Sequence, residues 1–443
     1  MSFALTLEYD APDIPICQLI YRCGMFTSNA GEAPMRSLAG EARAARHVAV
    51  LDEAAVEFNR VGVAGASLSA IARRVGLTRA ALYNYSADRQ DLAHQCYLRA
   101  CELTQADLTR AHASGGRGLD RVGAFMRLAL EFDHPPVAVL SETASLPEGP
   151  REVVRVARQR NVESLKALIG QGLEDGSIRS CDVDLACQSI FGLLSWAPLG
   201  RTWTDNGDET FAIRMAAAIP PLVLDGVAAE GATIPPVRRR LAEVIVPPAR
   251  DDKEERLESL ARAGSRLFNR RGVEGVSLDD VAAEVGATKG LVYHHFDSKP
   301  AFVAYCYERA FDIYDRIMDV AETGETGLEC SLLALELNVE AQLDDLHPMS
   351  LTTGFEIFAP TVRRAFTERT TMLASRSVEL ARRGVKDGTL RPFDLEPVAL
   401  ASAGTFSHLP KWLPPGDNRG STQIAGEVTR LFLMGLRARP SAL

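Results

Sequence analysis

The chain has 443 residues, 49 basic against 58 acidic for a formal net charge of −9, and 46% of it is hydrophobic. That length holds two to four domains with sizeable cores. The acidic balance argues against a non-specific coat on nucleic acid but leaves room for a local basic face. No apolar run reaches the ~18 residues that a spanning helix needs, so a soluble, cytoplasmic protein with no membrane partner is expected. The eight cysteines (Cys17, Cys23, Cys96, Cys101, Cys181, Cys187, Cys306, Cys330) contain no CxxC pair. They read as reduced thiols packing as small hydrophobes. His94, His112, His134 and His347 are scattered, and no metal or cofactor is expected.

Residues 1–41 are weakly patterned, with Pro12, Pro15, Gly24, Gly31 and Pro34, and read as a loosely structured extension. The start lacks the basic region and apolar core of a signal peptide. Met35 opens a natural helix lead-in and is an alternative translation start, which an intact mass would settle.

Residues 42–98 read as a helix-turn-helix head. The helical pattern from Arg43 to Arg60 puts Leu51, Ala55 and Phe58 on one face, and Gly62 ends it. Ser67 is an N-cap for a two-turn helix with Leu68, Ile71, Ala72 and Val75 on its apolar face. Gly76 supplies the turn, and a second short helix opens at Thr78. A further helix starts near Asp88, with Asp91 in its first turn. Residues 99–228 look mostly helical, with a long amphipathic stretch over Val153–Glu174 and a final helix over Glu209–Val227 that Pro220-Pro221 should kink. Residues 229–252 form a linker. Its proline pairs favour extended chain, and Arg238-Arg239-Arg240 reads as a solvated charge patch.

Residues 253–308 repeat the head, and residues 309–443 repeat the helical domain. Ser277 caps a helix carrying Leu278, Val281, Ala282 and Val285. Gly286 ends it, and Thr288 opens the next. Val362–Val385 and Ile424–Arg437 match the long and final helices of the first half. The register from Phe58-Asn59-Arg60 to Phe268-Asn269-Arg270 is an offset of 210 that also pairs Gly62, Ser67, Gly76, Thr78, Tyr83 and Cys96 with identical residues. It drifts to 212 at Asp175-Gly176-Ser177 against Asp387-Gly388-Thr389, and Gly192–Pro198 then lines up with Gly404–Pro410. The chain is a domain-scale duplication. No alternating strands appear, so the fold class is all-α.

A short capped helix pair also fits a plain buried αα-hairpin, but its recurrence favours a DNA-reading pair with the second helix in the major groove. Residues 43–92 carry seven basic and five acidic side chains, and residues 253–302 carry eight of each. A DNA footprint must therefore come from where charges stand.

Each half resembles a TetR/AcrR-family regulator. The second head carries the resemblance through Phe268, Gly272, Ser277, Val281, Ala282, Val285, Gly286, then Thr288-Lys289-Gly290-Leu291-Val292-Tyr293-His294-His295-Phe296 and Ser298-Lys299. The first head departs from it, with Ser86 at a Phe position, Asn84 at a His or small-residue position and Arg89 at a Lys position. Beyond the heads only the helical layout matches.

The resemblance implies two tandem units, each a three-helix head plus a helical ligand-binding and dimerisation domain. It places Thr78, Arg79, Tyr83 and Asn84 of the first head on DNA, and Thr288, Lys289, Gly290, Tyr293 and His294 of the second. Arg79 and Lys289 would reach phosphate or a guanine edge, and the tyrosines phosphate. Arg89 and Lys299 stand at the next helix N-terminus, which suits a phosphate. Ser67 and Ser277 are phosphate contacts or, fitting better, N-caps. Tyr85 and His295 should pack inward.

Family members pair as two-fold dimers through their last helices, so an internal pseudo-dimer is expected, with pairing of whole chains as a further homodimer left open. The partner is a double-stranded operator read in adjacent major grooves ~34–36 Å apart. Because the heads differ at Arg79/Lys289, Ala80/Gly290, Ala81/Leu291 and Asn84/His294, the operator should be an imperfect palindrome. The small-molecule effector is expected inside the C-terminal helices, where Trp196, Trp203, His408 and Trp412 occupy corresponding segments, with plain core packing as their alternative role. Gly192–Pro198 is similar to the Trp-rich segment of members that sense acyl-CoA or other lipid-like ligands.

The expectation is a repressor released by a small lipid-like or acyl-CoA-type ligand. The alternative is a ligand-binding or protein-interaction scaffold in which one or both heads are degenerate. No GxSxG, P-loop, strand-linked GxGxxG or HExxH is present, so the chain is not read as an enzyme.

Overall fold

The computed structural model describes residues 36–200, 209–235, 239–245, 252–351, 355–413 and 419–439. The chain divides into two units, Met1–Arg46 and His47–Leu443. Of the first, only the opening turns of a helix from Arg36 are described, and Met35 with the rest of the extension lies outside the described residues.

The first head comprises α1 (Arg36–Gly65), α2 (Leu68–Arg74), α3 (Arg79–Leu82) and the start of α4 (Arg89–Ala113). The first regulatory domain continues with α5 (Gly118–Ala129), α6 (Glu148–Glu174), α7 (Val183–Gly200) and α8 (Glu209–Asp225). A short α9 (Leu241–Val244) follows. The second half runs through α10 (Asp252–Arg271), α11 (Leu278–Glu284), α12 (Lys289–His295), α13 (Lys299–Ala321), α14 (Gly327–Leu343), α15 (Pro360–Lys386), α16 (Leu395–Trp412) and α17 (Ser421–Met434). Among the described residues there is no strand, only two isolated bridges. The all-α reading holds.

The caps explain the boundaries. Ser67 Oγ accepts from Ala70 N at 3.2 Å, and Ser277 forms a capping box with Asp280. Gly62 and Gly272 both turn the chain at φ 76°, a left-handed conformation that favours glycine. The matched Asp-Gly-Ser/Thr turns have a specific job. Asp175 Oδ2 accepts from Gly118 N at 2.8 Å and Asp387 Oδ2 from Gly327 N at 2.7 Å, so each turn caps the helix opposite. Hydrogen bonds from Ser177 and from the Gly118 amide hold the Asp175 carboxyl down at about 2.

One expectation needs correcting. The linker is not simply extended: Leu241 and Ile245 pack on Ile313, Ile317 and Leu337, and Leu241 N donates to Glu340 Oε2 at 3.0 Å. Pro220 and Pro221 lie inside α8, which runs on to Asp225.

The two halves meet through their last helices. α16 packs along α7 and against α8, and α17 lies against α7 and α8. The α7–α16 crossing is centred on Gly192 and Gly404. A Cβ on Gly192 would stand 2.8 Å from Thr405 Cα, and one on Gly404 would stand 2.5 Å from Gly192 O. At the ends of these helices the halves exchange matched hydrogen bonds. Arg179 N donates to Leu436 O and Arg391 N to Val227 O, both at 2.9 Å. Trp196, buried to 2% exposure, sits beside the crossing.

Backbones this close leave no room for a side chain. Gly404→Val should cost about 1–3 kcal/mol in urea unfolding, the usual range for overpacking. Gly426→Ala in α17, whose Cβ meets nothing within 4 Å, should instead be neutral or stabilise by ~0.5–1 kcal/mol.

Candidate nucleic-acid interface and effector cavity

The third helix of each head, α3 or α12, presents its expected residues to solvent. Thr78, Arg79, Tyr83 and Asn84 are exposed on and beside α3, as are Thr288, Lys289, Gly290, Tyr293 and His294 on and beside α12. Tyr83 and Tyr293 are 47% and 46% exposed, unusual for aromatics in a packed head. Thr78 Oγ1 caps α3 by accepting from Ala81 N at 3.1 Å, and Arg79 Nη2 lies 3.5 Å from Tyr83 OH. Lys289 Nζ pairs with Asp279 Oδ2 at 2.8 Å and stands 5.5 Å above the Tyr293 ring. Asp279 corresponds to Ser69, so only the second head carries this acid.

The heads differ in how firmly that helix is held. α12 has seven residues and α3 has four. Phe296 packs against Phe302 and Tyr305 at ring distances of 4.9 and 5.3 Å. Their counterparts are Ser86, Leu92 and Gln95. Ser86 is buried and donates to Asp88 O at 2.7 Å, satisfying its hydroxyl without supplying a ring.

Two side chains expected near phosphate bond within their own head, and the two serines take the N-cap role that fitted them better. Arg89 donates to Ala64 O, and Lys299 Nζ lies 3.4 Å from Glu274 O. Both tie the turn before the second head helix to the next long helix. Ser67 and Ser277 serve as N-caps, and Ser277 Oγ also donates to Asp280 Oδ2 at 2.6 Å. Tyr85 stacks on His47 with ring centroids 5.8 Å apart, and His295 is half-buried beside Phe296.

Each head is clamped to its regulatory domain by an asparagine. Asn59 Nδ2 donates to Val137 O, and Val139 N donates to Asn59 Oδ1. Asn269 does the same with Pro348 O and Ser350 N. Glu142 adds a contact to both heads. Its Oε2 accepts from Val63 N at 2.9 Å and its carboxylate abuts Gly62, while a Cβ on Gly272 would stand 2.6 Å from its Oε1. Burial pushes the Glu142 carboxyl up, and the bonds from Val63 and the Lys411 charge oppose the shift.

The clamped segment 137–141 is also a wall of the main cavity. This cavity, of about 150 Å³, lies between α4, α5, α6, α7 and α16. Trp196, His408 and Trp412 come together on its wall, while Trp203 lies outside the described residues. Sequence reasoning missed its most polar member. Arg158 Nη2 donates to Gln188 Oε1 at 2.6 Å and lies 3.3 Å from His408 Nε2, and its guanidinium stacks 3.5 Å from the Trp412 ring centroid. Burial pushes Arg158 down to about 10 and Lys411, in the same wall, down to about 8. Arg158 sits in an ordinary amphipathic helix, so nothing in its local sequence marks it. A second cavity of about 130 Å³ lies in the other half, lined by Thr370, Leu373 and Phe406 and again by Trp196.

The family model for bacterial regulatory proteins of the tetR family matches residues 50–96 and again residues 260–306. The chain belongs to the TetR family. A second model, the tetracyclin repressor-like C-terminal domain, matches residues 120–203. The HTH-type transcriptional repressor KstR2 of Rhodococcus jostii is 27% identical over 206 residues, 43% of this chain and 98% of that protein. The Transposon Tn10 TetC protein of Escherichia coli is 32% identical over 87 residues, 20% of this chain and 42% of that protein. Among solved structures, AibR with isovaleryl coenzyme A and operator DNA is 20% identical at a TM-score of 0.35, covering 42% of this chain and 100% of that one. The ketosteroid regulator KstR2 of Mycobacterium tuberculosis is 19% identical at 0.36, covering 42% and 96%. This TetR-family chain thus carries two copies of the DNA-binding head and is a helix-turn-helix transcription regulator. No helix among its described residues is long and apolar enough to cross a membrane.

Asn59→Ala strips partners from Val137 O and Val139 N, a loss of about 1–3 kcal/mol when such groups stay unpaired. Amide hydrogen exchange should speed up at residues 137–141 and stay unchanged in α10–α12. Asn269→Ala should reverse the pattern, acting on residues 348–350.

Proposed function

We propose that this chain is a transcriptional repressor that binds one operator as an internal pseudo-dimer and is released by a small amphipathic ligand in the first-half cavity. The observation carrying this reading is the α7–α16 crossing at Gly192 and Gly404, which joins the last helices of two complete units within one polypeptide. A tether removes the concentration dependence of pairing. The two heads then present unlike side chains, Arg79 and Asn84 against Lys289 and His294, to an imperfect palindrome.

The route from ligand to DNA is short. Segment 137–141 lines the cavity, Asn59 clamps it to the first head, and Glu142 follows it between the two head turns. A ligand that moves this segment shifts both heads, provided it binds one arrangement better than the other. A lipid-like or acyl-CoA-type molecule suits a wall that is mostly apolar with a few cations. The R. jostii relative is named a transcriptional repressor, which supports the repressor sense of this reading.

One observation favours a second reading, in which the first head is a scaffold. Its α3 is short, and Ser86 supplies no ring to hold it. Gel shifts on a fragment upstream of the gene decide between the two. Lys289→Ala with Tyr293→Ala should weaken binding by ten-fold or more, as loss of base and phosphate contacts costs ~1–3 kcal/mol. Arg79→Ala with Tyr83→Ala should weaken it by a smaller but measurable factor. Unchanged affinity in the second variant would make the first head a scaffold, and unchanged affinity in both would remove DNA binding from these helices.

A further inference from the structure

The two cavities descend from one duplicated site, but their chemistry has diverged at four matched positions. With the offset of 212 that aligns Gly192 with Gly404, Arg158 corresponds to Thr370, Asn161 to Leu373, Gln188 to Leu400 and His408 to Trp196. The first site therefore gathers a guanidinium, two amides and an imidazole, with Gln188 bonding Arg158 from behind the wall, where the second has a hydroxyl and two leucines; the Trp196 indole lines both cavities. Among the described residues no carboxylate pairs with Arg158. The one acid in the wall, Asp107, is already held by His134 at 3.0 Å and Arg110 at 3.5 Å. Lys411 adds a second cation on the same wall.

Asn161 gives an independent sign of a ligand. It is only 4% exposed, its Nδ2 donates to Cys101 O at 3.1 Å, and its Oδ1 has no partner among the described residues. A buried polar atom without a hydrogen bond is costly unless something fills the space beside it. Asn161 lies one turn along α6 from Arg158, on the same face.

An unneutralised guanidinium stacked on an indole, inside a wall otherwise built from Phe125, Phe191, Leu194 and Trp196, matches a molecule with an acidic end and an apolar body. Guanidinium and carboxylate or phosphate are complementary in charge and in planar geometry. We propose that the first-half cavity takes one amphipathic anion per chain, its acid group held by Arg158, and that the second-half cavity takes none. This rests on the first-half cavity being the effector site and gives that site its ligand class. A two-headed chain then answers to one anion, where a dimer of identical units would bind two.

Calorimetric titration of the full chain without DNA tests this, with octanoate, octan-1-ol and octanoyl-coenzyme A as probes. Octanoate should bind at one equivalent per chain and at least ten-fold tighter than octanol. Arg158→Met, with folding checked by thermal melting, should erase that preference, and Thr370→Val should leave it intact. Displacement of octanoate by octanoyl-coenzyme A would place the acid on the carrier, and no displacement would place it on the free acid; both support an anion site. Two equivalents of octanoate, equal or no binding of octanoate and octanol by the wild type, or an unchanged preference in Arg158→Met would overturn the proposal. Operator release is measured separately, so octanoate that binds without releasing DNA would count against the effector reading and leave the anion site standing.

Discussion

The crossing of α7 and α16 at Gly192 and Gly404 constrains the rest of the molecule. Two helices approach this closely only where neither carries a side chain, because backbone atoms then occupy the space of a Cβ. The approach seats Trp196 and His408, matched residues on the two helices, near the centre of the pairing. From there Trp196 reaches both cavities, while His408 reaches the first. The matched bridges Ile178–Arg437 and Ala228–Leu390 then fix the outer ends of the contact. Each regulatory domain is thus completed by the other, and α16 of the second half forms part of the first half's cavity wall.

Duplication followed by divergence explains which features repeat. Those that repeat are structural: the turn glycines Gly62 and Gly272, the clamps Asn59 and Asn269, the capping aspartates Asp175 and Asp387. The asparagines and aspartates pair backbone groups that would otherwise lack a partner, and the glycines allow the left-handed turn. Some that differ touch solvent or a cavity: Asp279 pairs with Lys289 in one head where Ser69 stands in the other, and Thr370 is the counterpart of Arg158. The buried Phe296 differs together with its ring partners, since Ser86, Leu92 and Gln95 stand where Phe296, Phe302 and Tyr305 do. A scaffold shared by two units tolerates change at open positions, and at buried ones where the partners change too.

Much of the scaffold was legible in the sequence because it rests on local rules. Caps at Ser67 and Ser277, turn glycines and the i, i+3, i+4 apolar faces depend on neighbours a few residues away. The repeat itself, an identity pattern at one offset, needed no structure. Features made by distant pairs were not legible. The reach of Arg158 to Trp412 spans the two halves, Glu142 meets Gly272 from another domain, and α9 forms inside a proline-rich stretch because Leu241 and Ile245 find an apolar surface on α13 and α14. Arg89 and Lys299 stand where the resemblance put them, but their side chains turn to backbone carbonyls of their own head, which no sequence offset reveals.

If one polypeptide supplies both halves of the DNA-reading unit, the stoichiometry on DNA follows. Native mass spectrometry of the full chain with a duplex carrying its operator counts both partners in one spectrum. One chain should sit on one duplex, unchanged as protein concentration is lowered. A complex that always holds two chains per duplex, each engaged through a single head, would contradict it.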